Sequence, residues 1–460
     1  MKKFILARGF ALLLLLCFTT SVNAAVVIGP PFTDHAVLQR KMPCPVWGTA
    51  NAGEQITITF NGQTKTVKAG DDGKWRIVLS PMKAAGPLDM TIAGTNTITL
   101  TDIYVGEVWQ CAGQSNMDLT LNNTSQFKDR FIDTIKNANL PLMRYMNMRP
   151  PRNTTAAWQV ISPATAGGCS ATGFFFGKEI LKSVDCAVGL MVTAVGGTLI
   201  ETWFDQATVA ADPAMKTTKN IAAGSNYNKY VAPVVGFGIR GTVWIQGEQN
   251  TYDTVMTPRY EGQFKLLING WRKAWGQGDF PFYYGQLSSE RPNKPIPLDT
   301  LAFIPMVREA QRQALTLPNM AMTVNFDLRA GGWHYPQKPE AGYRLSLPAK
   351  AMLYGQKGLE YSGPAFKSAG VKNGKVILKF THIGSGLMAK DGSLKGFVIA
   401  GADNKWVAAD AVINGKQVEV SSAAVTQPTQ VRYAWADRPV GNLYNNEGLP
   451  TSPFRSDKPL

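Results

Sequence analysis

Histidine is scarce in this chain, with three residues in 460: His35, His334 and His382. Any reaction that needs an imidazole therefore has few places to occur. Cysteine is almost as rare, at five residues. Cys17 lies in an apolar N-terminal stretch, which leaves Cys44, Cys111, Cys169 and Cys186, whose spacings match no zinc pattern. Cys169 and Cys186 are a candidate pair, and one bridge or none is expected. After residue 24 no apolar run is long enough to span a bilayer, so no stable membrane insertion is expected. Acidic residues are outnumbered 32 to 47, giving a formal net charge of +15. The basic residues are scattered rather than clustered, which argues against nucleic-acid binding. No internal repeat is present.

The N-terminus reads as a processing segment. Lys2, Lys3 and Arg8 precede the apolar stretch Phe10 to Phe18, and Val22-Asn23-Ala24 is a small-residue cleavage signal. Cleavage after Ala24 leaves about 436 residues and a net charge of about +12 by the same count, exported to the periplasm or beyond. A chain of this length is expected to form two or three domains.

Three zones follow. Residues 25–101 alternate short β-rich runs with Gly and Asn turns, as in Gln55 to Phe60, Asn61-Gly62 and Thr64 to Val67, and predict a small β-sandwich. Residues 102–355 alternate strands with helices. The run Val188 to Val195 is apolar almost throughout, as in a strand covered on both faces, and Thr242 to Ile245 and Phe282 to Leu287 are similar. Tyr260, Phe264, Leu267, Ile268, Trp271 and Trp275 share one helical face. This pattern predicts an α/β domain with a mainly parallel, helix-covered sheet. From 356 to 460 the β pattern returns, and the segment from Asn442 onward, rich in Asn, Pro and Gly, is expected to lie across the surface.

The central zone carries the residues suited to chemistry. Gly113-Gln114-Ser115-Asn116-Met117 follows the strand-like run Val105 to Cys111, which places Ser115 at the carboxyl edge of a sheet, where α/β folds put their ligands. A serine nucleophile needs a base and donors for the oxyanion. Of the three histidines, only His334 follows a core strand, so if Ser115 is the nucleophile His334 is the base by elimination; the other reading is a surface-loop histidine. Gly196-Gly197-Thr198 closes another strand and presents a backbone N–H without a side chain in the way. In Gln246-Gly247-Glu248, Gln246 offers an amide N–H to an oxyanion and Glu248 an acceptor to an imidazole.

The order of these blocks resembles the SGNH (GDSL-like) hydrolases and, more narrowly, the sialate O-acetylesterase family. The resemblance extends through Val37-Leu38-Gln39-Arg40, Gly106-Glu107-Val108-Trp109, Ile200-Glu201-Thr202-Trp203, Val431-Arg432-Tyr433-Ala434-Trp435 and Pro453-Phe454-Arg455. It implies a flavodoxin-like three-layer core flanked by β-sandwich-like segments. It also implies a serine esterase that removes O-acetyl groups from sugars, O-acetylated sialic acid foremost, without metal or organic cofactor. Ser115 would be the nucleophile and His334 the base. The Ser115 and Gly197 N–H groups and the Gln246 side chain would form the oxyanion hole. Similar sequences also suit an acetyl esterase acting on plant cell-wall polysaccharide. A non-catalytic carbohydrate-binding protein would have no need of Ser115 and His334.

One departure stands out. Where related hydrolases commonly carry an aspartate two or three residues before the histidine, this chain has Gly332 and Gly331. Pro336 is displaced from its usual place, whereas Lys338, Glu340, Gly342 and Arg344 keep the family spacing. Three alternatives remain for orienting His334: Glu248, a backbone carbonyl in a Ser-His dyad, or Asp327.

Overall fold

A computed structural model describes residues 25–457, apart from 125–126, 128, 213–214, 216–221, 253–254, 289–302 and 329–331. The processing segment at 1–24 and Gly331 lie outside the described residues.

One strand organises the molecule. β1 (Thr97–Gly113) is 17 residues long, and its two halves have different surroundings. The first half alternates exposed and buried side chains and pairs antiparallel with Ala85–Ala93, as a sheet with one wet face does. From Val105 onward nearly every residue is buried, and β1 becomes a parallel strand covered by helices on both faces. The domain boundary expected after residue 101 thus falls inside a continuous strand. The N-terminal β segment is not an isolated sandwich either, because Ile56, Ile58 and Trp75 belong to the same apolar cluster as Val108, Trp244 and Trp271.

The central sheet also contains β2 (Leu140–Asn147), β3 (Val188–Ala194), β4 (Gly241–Ile245), β5 (Phe282–Gly285) and β6 (Met320–Thr323). Its order is β2-β3-β1-β4-β5-β6, parallel throughout, with Trp158–Ile161 antiparallel on the outer edge. The chain adds strands to one side of β1 and then to the other, so the carboxyl end of β1 is the switch point where a crevice opens.

Helices α2 (Ala171–Leu181) and α5 (Lys338–Met352) cover one face, where Trp109, Cys111, Phe174, Phe176, Leu345 and Ala349 pack together. Helices α3 (Met256–Trp275) and α4 (Phe303–Gln313) cover the other, where Trp244, Phe264, Trp271 and Phe282 form an aromatic layer. The one-turn helix α1 (Ser115–Asp118) caps β1.

The C-terminal segment has its own core of Val376, Leu378, Ile399, Val418, Tyr433 and Phe454 between two four-stranded sheets. The tail does not merely cross the surface. Leu443–Asn445 and Phe454–Arg455 are buried strands, and Ser452 receives a 2.8 Å hydrogen bond from Gln286 of the α/β domain. Val431, Tyr433 and Phe454 are apolar anchors here, and the buried Asn445 ties its strand to the Ser362 and His382 carbonyls.

All four cysteines of the described chain are buried free thiols, so Cys169 and Cys186 are not bridged. Among the described residues no helix is long and apolar enough to cross a membrane.

Candidate active site

The end of β1 dictates a glycine. Gly113 lies in register between Ala194 of β3 and Ile245 of β4, at φ 122°. A Cβ there would come within 2.1 Å of the Ile245 carbonyl oxygen. The chain then leaves the sheet sharply: the Gln114 N–H donates to Ile245 O at 2.7 Å, and α1 begins at Ser115. Ser115 is half-buried. Among the described residues, neither its hydroxyl nor its backbone N–H is engaged in a hydrogen bond.

The turn after β3 closes on this serine. A Cβ on Gly196 would lie 3.4 Å from Ser115 Cβ, and the Gly196 N–H donates to Asp118 Oδ2 at 3.0 Å. Arg149 holds the same carboxylate with contacts of 2.8 and 2.7 Å. Burial raises the Asp118 pKa, and Arg149 together with the Gly196 N–H opposes that rise. Gly197 is exposed at φ 71°, no atom lies within 4 Å of where its Cβ would be, and its N–H makes no hydrogen bond among the described residues.

On the other side of β1, the segment after β4 is locked from within. Gln246 Nε2 donates to Thr198 O at 3.0 Å and to Asn250 Oδ1 at 2.7 Å, while its Oε1 accepts from Tyr260 at 2.7 Å. Both amide hydrogens of Gln246 are spent, so it does not offer the oxyanion N–H expected of it. It ties the Gly196-Gly197-Thr198 turn to the Gln246–Asn250 segment.

Asn116 is the hub of the site. Its buried Nδ2 donates to Glu248 Oε1 and to the Trp333 carbonyl, both at 2.9 Å. Its Oδ1 accepts from Lys338 Nζ at 2.7 Å, and its carbonyl accepts from Thr172 Oγ1 at 2.8 Å. One amide therefore clamps the residue after Ser115 to the residue before His334. The half-buried His334 ring has no hydrogen-bond partner among the described residues. Burial, followed by the nearby Lys338 ammonium, holds its pKa below the usual histidine value.

Neither candidate carboxylate is hydrogen-bonded to this ring. Glu248 Oε1 is directed to Asn116. Asp327 makes two 2.7 Å contacts with the Arg344 guanidinium and also accepts from Tyr444 at 3.2 Å. Asp327 was a candidate because it is the nearest acid upstream of His334, but the fold commits it to Arg344 of α5.

Two features of the surroundings were not legible in the sequence. A cleft of about 750 Å³ starts at Asp118 and runs past Arg149, Asn147, Tyr145 and Thr154. Near His334, Tyr252, which is 52% exposed, sits against Trp333 with ring centroids 5.4 Å apart. Asn116 lay inside a noticed motif, but only its contacts give it a role. Arg149 and Tyr252 had no sequence signal, because single polar or aromatic loop residues are common. Among the described residues no group of three or more His, Cys, Asp or Glu is placed to hold a metal ion.

The model of a family described as carbohydrate esterase, sialic acid-specific acetylesterase, matches residues 105–341, which include Ser115, Asn116, Gly197, Gln246, Glu248 and His334. The chain belongs to that family. It is accordingly a carboxylic ester hydrolase. The human sialate O-acetylesterase is 26% identical over 98% of this chain and 96% of its own length. The mouse protein of the same name is 25% identical over 97% of each. The crystal structure of a carbohydrate acetylesterase from Xanthomonas citri superposes with a TM-score of 0.86 at 34% identity, over 94% of this esterase and all of that chain.

Proposed function

We propose that this esterase is exported and removes O-acetyl groups from sugars, with O-acetylated sialic acid as the leading substrate, through an acetyl-serine intermediate on an SGNH-type, flavodoxin-like core. The observation that carries the reading is the Asn116 clamp, which brings the Ser115 turn and the His334 loop together at the carboxyl end of β1. The parallel order around β1 fits that core type, with the serine strand flanked by the strands that carry the glycine turn and the Gln-Gly-Glu segment.

In this mechanism the Ser115 hydroxyl attacks the acetyl carbonyl carbon while His334 accepts its proton. His334 is suited to this role because burial and Lys338 favour its neutral form. The oxyanion is stabilised by the backbone N–H groups of Ser115 and Gly197, neither of which has an acceptor among the described residues. His334 then returns the proton to the sugar oxygen as the ester bond breaks. Water attacks the acetyl-serine with His334 again as base, and acetate leaves. The cleft beside Asp118 and the Tyr252–Trp333 pair would hold the sugar on either side of the reacting ester. In this assignment His334 works in a dyad with Ser115, and Glu248 contributes by holding Asn116.

The test is acetate release from O-acetylated sialic acid and from acetylated xylan, by the wild type and by Ser115→Ala. The expected result is hydrolysis of the sialate ester that falls by at least ~10³ in the variant. Activity on xylan alone would transfer the substrate to plant cell-wall polysaccharide. Undiminished hydrolysis by Ser115→Ala would overturn the mechanism.

A further inference from the structure

Lys338 is a costly residue where it stands. It is buried, and it opens α5, where a cation faces the positive end of the helix dipole. A buried ammonium whose hydrogen-bond acceptors are neutral amide oxygens costs desolvation that apolar residues of similar size would not. Packing alone would therefore be served as well by methionine. What the lysine gains is contact with the site. Its Nζ donates to Asn116 Oδ1 at 2.7 Å and approaches the Asn116 carbonyl at 3.3 Å. The ammonium also lies 4.1 Å from the centre of the Tyr335 ring, next to His334.

We propose that Lys338 is a positioning residue for the catalytic pair, acting through Asn116 to set the Ser115 turn against the His334 loop. The inference rests on the reading of Ser115 and His334 as nucleophile and base. The Asn116 amide can point in two ways, and only one of them serves. With Oδ1 on Lys338, the Nδ2 group faces Glu248 Oε1 and the Trp333 carbonyl, and each of its hydrogens has an acceptor. A flipped amide would place Nδ2 against an ammonium and Oδ1 against a carboxylate and a carbonyl. Lys338 removes that alternative and so fixes the backbone on both sides of the reacting groups.

The charge has a second effect. The groups around Lys338 are Glu248 from the segment after β4, and His334 and Tyr335 from the loop before α5. Arg344 lies beyond Tyr335 and is itself paired with Asp327 and Glu340. Of the elements packed on α5, helix α2 brings the neutral Thr172 to Asn116, and its Glu179 pairs with Lys350 near the far end of α5. Strand β5 brings Tyr283, which stays protonated because burial raises its pKa. Burial lowers the Lys338 pKa to about 7, against the pull of Glu248. In its charged form Lys338 disfavours a second cation on His334 and keeps the base ready to accept the serine proton.

The experiment measures kcat and KM on 4-nitrophenyl acetate from pH 5 to 9 for wild type, Ser115→Ala, Lys338→Met and Lys338→Gln. Lys338→Met is expected to lose about 10²-fold in kcat, the scale of a misplacement near 1 Å, with KM nearly unchanged. Its acid limb should move upward, because the repelling cation has gone while the burial of His334 remains. Lys338→Gln keeps a donor for Asn116 without the charge. It should retain most of kcat and still show the shifted limb, and it carries the test if the Met variant does not fold. A Lys338 variant that matches wild type in both kcat and acid limb, while Ser115→Ala is inactive, overturns this inference alone. An active Ser115→Ala overturns the reading beneath it.

Discussion

Replacing Glu248 by glutamine separates two ways of activating His334 by orders of magnitude. If Glu248 were the acid of a serine triad, converting it to an amide would cost about 10⁴ in kcat, as it does where a carboxylate orients the imidazole. The contacts here call for much less. Glu248 Oε1 accepts from Asn116 Nδ2 at 2.9 Å, and a glutamine Oε1 can accept the same bond. The change turns a charge-assisted hydrogen bond into a neutral one, a loss of about 1 kcal/mol. If all of that loss reached the transition state, the rate would fall about fivefold. The variant also removes the counter-charge of Lys338, so that lysine titrates below its present value of about 7. The neutral amine still donates to Asn116. Steady-state kinetics on 4-nitrophenyl acetate at pH 8, with a thermal melt of each protein, are sufficient. A fall of 10³ or more in a variant that melts like wild type would refute the dyad and restore Glu248 as the orienting acid.

Three other outcomes follow from the same geometry. Gln246→Ala deletes three buried hydrogen bonds and should cost roughly 3 kcal/mol in denaturant unfolding; a loss of 10²–10³ in kcat with unchanged stability would make Gln246 an oxyanion donor after all. Arg344→Met leaves the Asp327 carboxylate without its bidentate partner and should destabilise the fold by about 3–5 kcal/mol, whereas Asp327→Asn should stay within about tenfold of wild-type kcat; a collapse of kcat in a stable Asp327→Asn protein would make Asp327 catalytic. The third outcome concerns pH. The Lys338 pKa is lowered from its ordinary 10.5 to about 7, so between those values the unfolded chain holds a proton that the folded chain lacks. Wild type should therefore gain stability relative to Lys338→Met as pH rises through that window, and parallel curves would show that Lys338 titrates normally.

The strands and helices of the α/β zone were legible because burial on both faces writes itself as continuous apolar runs, as in Val188 to Val195, and because the aromatic face of Met256–Trp275 repeats at helical spacing. The junction at residue 101 was not legible, since a strand that passes from one packing environment to another shows a change of pattern and no break. The tail was misread for a related reason. Its turn residues dominate the composition, while its buried strands are only two or three residues long.

The sequence by itself determined the chemistry available: one serine at a strand end, one histidine in the right zone, and a glycine where no side chain fits. These are local properties, set by residue type and backbone geometry. Only the tertiary structure decided which polar groups are free to act. It spent the amide of Gln246 on Thr198 and Asn250, gave Asp327 to Arg344, and turned Glu248 toward Asn116. The physical reason is that a buried hydrogen-bonding group must find a partner. The nearest partner in space is set by packing between segments far apart in the chain, as with Asn116 and Lys338, 222 residues apart.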